Sequence, residues 1–260
     1  MSYKKNNQYP KDETGFIYGR NPILEILKSD NRTVNKLLLS KTARGHVISE
    51  IISFAKSKSI AIHNVPPEKL ENFPNSQGVA AEVSPIKYKD LKDMIKQANK
   101  ADSPLLVILD GIEDPHNLGA IVRNCTAFGA NGIIIPKWRC AAVNATVSKA
   151  SAGAIEHISI SRVANINQAV DKLKEQGFWI AGTENGVENI ENVKLTFPLA
   201  VIIGSEGTGM HNLTRKKCDF LISIEQSDAI SSINASCASS IILYELFKLR
   251  KTQKCNKNEK

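Results

Sequence analysis

The sequence predicts an α/β protein: a small α/β unit over residues 15–84, a linker over 85–103, and a larger domain over 104–250 built on a mostly parallel sheet. Three observations carry this. From 104 to 250, short apolar runs alternate with stretches of helical periodicity, the pattern of strands joined by crossover helices. The run at 199–203, Leu-Ala-Val-Ile-Ile, stops at Gly204-Ser205-Glu206-Gly207-Thr208-Gly209, as a strand buried on both faces does when it feeds a tight loop. At 260 residues the chain is long enough for a substantial core, and no apolar run approaches the roughly 20 residues of a membrane span.

The elements follow in order. Residues 15–29 hold a short helix, with Pro22 in its first turn and Ile23, Leu24 and Leu27 on one face. A strand at 36–39 precedes an amphipathic helix over 44–58, marked by Val47, Ile48, Ile51, Ile52 and Ala55. A strand at 60–65, a short helix opened by Pro66-Pro67 and a strand at 78–83 complete the first unit. The linker carries a short helix over 91–99. In the second domain, strands are predicted at 105–109, 132–135, 157–160, 178–182, 199–203 and 220–224. Helices are predicted at 118–128, 145–154, 167–176 and 210–216, the second of them rich in small residues and suited to close packing. The last helix starts near Ser232, with Ile233, Cys237, Ile241, Tyr244 and Phe247 as its apolar stripe. Residues 1–14 read as a disordered tail and 251–260 as a solvated basic one.

The formal net charge of +8 favours a polyanionic partner, nucleic acid first, over a merely basic soluble chain. Five cysteines, odd in number and without a C-x-x-C pair, point to a reduced cytoplasmic protein. The polar start of the chain lacks the apolar stretch of a secretory signal.

Few residues stand out as candidates for chemistry. The 204–209 loop places Glu206 among glycines, where a phosphate cradle requires bare N–H groups and a lysine, so it suits an uncharged or cationic ligand part. Glu206 is either a solvated carboxylate or the partner of a ligand or an arginine. Asn117 reads most simply as a helix N-cap, and Arg123, nearly two turns further on, as a surface ion pair or a functional cation. Ser232 and Asn234 are good cap residues at the start of the last helix. Trp138 and Arg139 follow a strand and either stack on bases or pack in the loop. His116 has no second ligand at metal spacing, so no metal site is expected, and Cys237 belongs to the core.

Taken together, D-G-I-E-D-P-H-N-L-G-A-I-V-R-N, I-I-G-S-E-G-T-G-M and S-S-I-N-A-S resemble, in order and spacing, the three motifs of the SpoU (TrmH-like) RNA 2′-O-ribose methyltransferases. The likeness extends through K-A-S-A-G-A-I-E-H-I, and I-Y-G-R-N-P-I-L-E-I-L with Q-G-V-A-A-E-V resembles the N-terminal substrate-binding domain of the 23S rRNA guanosine branch. The resemblance implies a SPOUT domain with a C-terminal trefoil knot, an L30e-like first domain that docks RNA, and a homodimer. It implies S-adenosylmethionine as cofactor, methyl transfer to a ribose 2′-hydroxyl, and 23S rRNA as the RNA partner, with tRNA as the runner-up. It assigns catalytic roles to Asn117, Arg123, Glu206, Ser232 and Asn234, and cofactor contacts to Gly204, Ile224, Ile233 and Thr183. The chain departs from the family pattern at Glu225-Gln226-Ser227-Asp228, where a proline and a glycine are usual, and at Asn124, where threonine is common. A non-catalytic RNA-binding protein on the same fold is the rival reading, and the altered 225–228 loop is its support. A dinucleotide-binding Rossmann protein is disfavoured by the lack of G-x-G-x-x-G after the first strand.

Overall fold

The computed structural model describes residues 15–29, 31–227, 229 and 232–258, with the side chains of 255–258 excepted. The predicted disordered tail at 1–14 therefore lies outside the described residues, as do Asp228 and Ser231. In chain order the first elements are β1 (Phe16–Tyr18), α1 (Arg20–Ser29), β2 (Val34–Ser40), α2 (His46–Ser57), β3 (Ala61–Val65) and β4 (Val79–Val83). Next come α3 (Leu91–Ala98), β5 (Leu105–Asp110), α4 (Pro115–Ala127), β6 (Gly132–Pro136), α5 (Ala145–Ala150), β7 (Ile160–Val163) and α6 (Ile166–Glu175). The chain ends with β8 (Trp179–Thr183), β9 (Leu199–Gly204), α7 (Asn212–Lys216), β10 (Phe220–Ile222) and α8 (Ala235–Asn258). It forms two compact units, residues 1–86 with 143–156, and residues 87–142 with 157–260.

The first unit carries a four-stranded sheet in the order β1-β4-β2-β3. Only β2 and β3 run parallel; β4 is antiparallel to both of its neighbours. Alternation along the strands separates two apolar faces. Ile17, Leu37, Leu39, Val79 and Ala81 pack under α1 and α2, against Ile23, Leu27 and Ile51. On the other face Phe16 and Ala80 meet Val65, Leu70 and Phe73. The helix expected over 15–29 begins later than expected. Phe16, Ile17 and Tyr18, all strand formers, pair with β4, and Gly19 (φ 101°) makes the turn into α1.

The sequence reading put 145–154 in the second domain, but the structure packs this segment with the first unit. The small residues matter here: a Cβ on Gly153 would lie 2.7 Å from the Glu25 side chain and 3.2 Å from the Pro22 Cα. Lys149 donates to the Pro74 carbonyl (2.8 Å) and lies over the Tyr18 ring. Glu156 pairs with Arg32 at 3.1 Å, with 1% and 8% of the two side chains exposed, while Arg32 Nε donates to the Ser84 carbonyl. The strand expected at 157–160 is displaced as well; 154–157 form a 3-10 turn, and β7 starts at Ile160.

The second unit is a six-stranded, all-parallel sheet in the order β10-β8-β9-β5-β6-β7. Central β5 and β9 are buried at every residue, which explains their unbroken apolar runs. The segment expected to be a linker is part of this core. Leu91, Met94, Ile95 and Ala98 recur at i, i+3, i+4 and i+7 on α3 and pack against Ile108 and Ile134. Met94 leaves no room for a Cβ on Gly132, whose closest approach would be 2.8 Å.

The chain moves from β5 outward to β6 and β7, then crosses to place β8 and β10 on the far side of β9. The carboxyl ends of β5 and β9 therefore flank the point where strand order reverses, the usual crevice for ligands in open α/β sheets. The stripe expected on the last helix is rotated. Cys237, Ile241 and Tyr244 are exposed, and the buried face is Ala235, Ser239, Ile242, Leu243 and Leu246. Helix also continues to Asn258, through most of the expected tail.

The Arg32–Glu156 pair is a checkable element of the first unit. Glu156→Ala leaves a buried guanidinium without its carboxylate, so the unfolding free energy is expected to fall by about 3 kcal/mol. Urea denaturation followed by circular dichroism measures it. A loss below about 1 kcal/mol would show that the pair does not hold the 143–156 segment.

Candidate functional site

Two loops at the carboxyl edge of the second unit's sheet build the site. The first follows β5. Asp110 is buried and accepts from His211 twice, at the backbone N (2.9 Å) and at Nδ1 (2.7 Å), so β5 grips the far end of the glycine loop. Asp114, not Asn117, caps α4, accepting from the His116 N–H at 2.9 Å with Pro115 in the first turn. The helix thus starts three residues earlier than the sequence reading placed it, and Asn117 sits inside its first turn with a side chain free for other work.

The second loop follows β9. Ser205 and Gly209 exchange two backbone hydrogen bonds of 3.0 Å, Ser205 Oγ meets Thr208 Oγ1 at 2.8 Å, and Gly209 takes φ 64°. A Cβ on Gly204 would lie 2.4 Å from the Gly209 backbone carbon, so this glycine is required by the turn itself. Gly207, by contrast, has open space around it.

The loops meet at Glu206. Its Oε1 accepts from Asn117 Nδ2 at 2.9 Å, from the Ala235 N–H at 3.3 Å and from Asn234 Nδ2. Asn234 Nδ2 also donates to Asn117 Oδ1 at 3.1 Å. Asn234 is at the same time the N-cap of α8: its Oδ1 accepts from the N–H groups of Ser236 (2.9 Å) and Cys237 (3.2 Å). That cap fixes the carboxamide's orientation, since an oxygen must face the backbone donors and Nδ2 must face Glu206. The carboxylate therefore lies against the positive end of α8 and beside the first turn of α4. Among the described residues, no donor reaches Glu206 Oε2.

Beside this cluster lies a cavity of about 470 Å³, lined by the 204–209 loop, Thr183, Ile222, Ile224, Ser232, Ile233 and Ala238. Its size falls in the ~300–1,000 Å³ range of small-molecule pockets. Glu206 and Ser232 line it too, so among the predicted residues the cavity gathers Gly204, Thr183, Glu206, Ile224, Ser232 and Ile233. Glu184 and Arg215 form an ion pair on its wall, which raises the Arg215 pKa; neither residue stood out in the sequence.

Arg123 is not brought to the cavity. It is exposed on α4, with no hydrogen bond or ion pair to any described residue. Its neighbour Asn124, the departure from the family's threonine, donates to the Ser236 carbonyl and to Ser239 Oγ, both at 3.1 Å, and so ties α4 to α8. Cys140 and Cys218 are pushed up to about 11 by burial, which keeps both thiols protonated near neutrality. Cys237 is exposed instead of buried. No group of three His, Cys, Asp or Glu among the described residues could hold a metal ion, and no helix among them is long and apolar enough to cross a membrane.

Comparison with known proteins bears directly on this arrangement. Residues 104–244 match the model of the SpoU rRNA Methylase family, and residues 16–89 match the RNA 2′-O ribose methyltransferase substrate-binding family. YacO of Bacillus subtilis, named for the TrmH family of tRNA/rRNA methyltransferases, is 41% identical over 90% of this chain and 96% of its own. A Staphylococcus aureus relative named for the same family is 43% identical over 92% of this chain and 97% of its own. Among solved structures, the SpoU methyltransferase AviRb from Streptomyces viridochromogenes, in complex with the cofactor AdoMet, superposes with a TM-score of 0.78 at 24% identity. The match covers 91% of this chain and 90% of that one, a likeness of fold. A family model that takes in more than half the chain, and relatives of this identity along nine-tenths of it, lead to one conclusion: the chain belongs to the SpoU family of RNA methyltransferases.

Proposed function

We propose that this protein transfers a methyl group from S-adenosylmethionine to a ribose 2′-hydroxyl of RNA, with a guanosine of 23S rRNA as the target. The observation that carries the reading is the Asn117–Glu206–Asn234 cluster at the lip of the cavity behind the 204–209 loop. The cavity fits such a cofactor. Its wall combines backbone and aliphatic surface for an adenosine part with carboxylates at Glu184 and Glu206 for a cationic one, and among the described residues no lysine of a phosphate cradle lines it. Bound there, the cofactor supplies a sulfonium methyl that needs no further activation. The chain's task is to hold a hydroxyl in line with it and take up its proton.

Glu206 Oε2 is the acceptor that the cluster leaves over, and one Asn117 N–H is the remaining donor. In this reading they orient the hydroxyl, and Ser232 adds a contact at the cavity wall. A carboxylate accepts a proton far more readily than a guanidinium, which stays protonated throughout the working pH range. Arg123 is therefore assigned to the RNA phosphate, where a planar fork is useful.

The substrate-binding match over residues 16–89 and the basic charge favour structured RNA. The same reading takes residues 15–84 as an RNA-docking unit, the C-terminal part of the 104–250 domain as a trefoil knot, and the exposed Cys237, Ile241 and Tyr244 of α8 as the face of a homodimer. Transfer RNA is the alternative substrate, since the relatives are named for both. Mass-spectrometric mapping of 2′-O-methyl groups on 23S rRNA and tRNA transcripts, incubated with and without the protein, decides between them. A new methyl on a base instead of a ribose would overturn the reaction type.

Two variant series test the site. Ala238→Leu adds three carbons at the cavity wall without changing the backbone, and is expected to weaken S-adenosylmethionine binding by about tenfold or more at an unchanged melting temperature. Unchanged affinity by calorimetry would remove the cofactor from this cavity. Arg123→Ala is expected to leave cofactor affinity intact and, by misplacing the RNA phosphate, to lower single-turnover methylation by about 10²-fold. Arg123→Lys remains nearly as slow if the fork geometry matters, and recovers if only charge does.

A further inference from the structure

Trp138 stands 76% exposed in the loop that follows β6, outside the cluster and the cavity. An indole in water is unremarkable on a mobile loop, but this loop is fastened at several points. The Lys137 N–H donates to the Val163 carbonyl (2.8 Å), and Arg162 Nη2 donates to the Lys137 carbonyl (3.0 Å). Beyond the tryptophan, the Ala141 N–H donates to the Ile112 carbonyl at 2.9 Å. Arg139 takes φ 55°, a conformation that side chains other than glycine seldom adopt, and its Nη1 lies 3.4 Å from His211 Nε2. In the tautomer that donates Nδ1–H to Asp110, His211 turns Nε2 towards Arg139 as an acceptor.

These anchors tie the loop to the segments that carry the cluster. Ile112 leads into α4 and Asn117, and His211 ends the loop that carries Glu206. Lys137 and Arg139 flank Trp138 in the chain, and Arg162, bonded to the Lys137 carbonyl, lays its guanidinium over the Tyr88 ring.

We propose that Trp138 and Arg139 form a subsite for a nucleotide flanking the methylated one, the indole stacking on its base and the guanidinium contacting its phosphate. The inference rests on the reading of this protein as an RNA methyltransferase acting at the Asn117–Glu206–Asn234 cluster. Stacking on an exposed ring explains why a large aromatic is set in solvent on an anchored loop, and it tolerates any base, so the subsite would position RNA more than select it.

The protein has two tryptophans, so a Trp179→Phe background leaves Trp138 as the sole indole reporter. Single-stranded oligoadenylate is expected to quench its fluorescence, and the same ribose-phosphate backbone without bases is not. In the otherwise wild-type protein, Trp138→Ala is expected to raise KM for a methylated rRNA or tRNA transcript on the order of ten- to one-hundred-fold, with cofactor affinity unchanged, while Trp138→Phe stays within about threefold. Equal quenching by the abasic backbone, or an unaltered KM in Trp138→Ala, overturns the subsite while leaving the methyltransferase reading intact. A wild-type protein that methylates neither kind of transcript sinks both.

Discussion

A single carboxylate oxygen joins the 204–209 loop to two distant parts of this chain. Glu206 Oε1 takes a side-chain donor from the first turn of α4, another from the cap of α8, and the backbone N–H of Ala235 at the start of α8. Each bond alone is modest, but a charged acceptor roughly doubles its strength, and the helix termini add their partial positive charge. The arrangement also explains why Asn234 cannot be exchanged for another good cap. Serine or aspartate would satisfy the Ser236 and Cys237 N–H groups, yet neither offers N–H donors to Glu206 and Asn117.

The cluster in turn depends on the glycine loop's shape. Gly204 ends β9 beside Asp110 of β5, where the order of strands reverses. The loop returns so tightly that Gly209 occupies the space a side chain on Gly204 would need. Asp110 then holds the loop's exit through His211. The glycine reads in sequence as permission for a ligand to approach, but its first physical reason is the approach of the chain to itself.

The fold class was legible because β5 up to Leu109 and β9 are unbroken apolar runs and the helices between strands carry clear periodicity. The grouping of Asn117, Glu206 and Asn234 was legible only through the three motifs together; no local pattern links residues so far apart. Local reasoning failed where two residues competed for one role. Asp114 and Asn117 are both good caps, and Pro115 at the first helical position favours the earlier start. On α8, periodicity picked out Cys237, Ile241 and Tyr244, yet the buried side contains Ala235 and Ser239. The helix has apolar residues on both sides, and Asn124's bonds to Ser236 and Ser239 decide which side faces α4. The home of residues 143–156 was not legible at all, because it rests on Arg32 and Glu156 finding each other across the chain.

That returning segment bears on how the protein matures during synthesis. The first unit looks complete in sequence by residue 84, but its last pieces, α5 and Glu156, are translated only after β5, α4 and β6 of the second. On the ribosome the early helices and strands must wait, with Arg32 lacking its carboxylate, until residue 156 has left the exit tunnel. The two units therefore cannot fold as a strict succession of beads, as chains with contiguous domains do. A gene fragment cut at the apparent boundary would encode a first unit short of its own final layer.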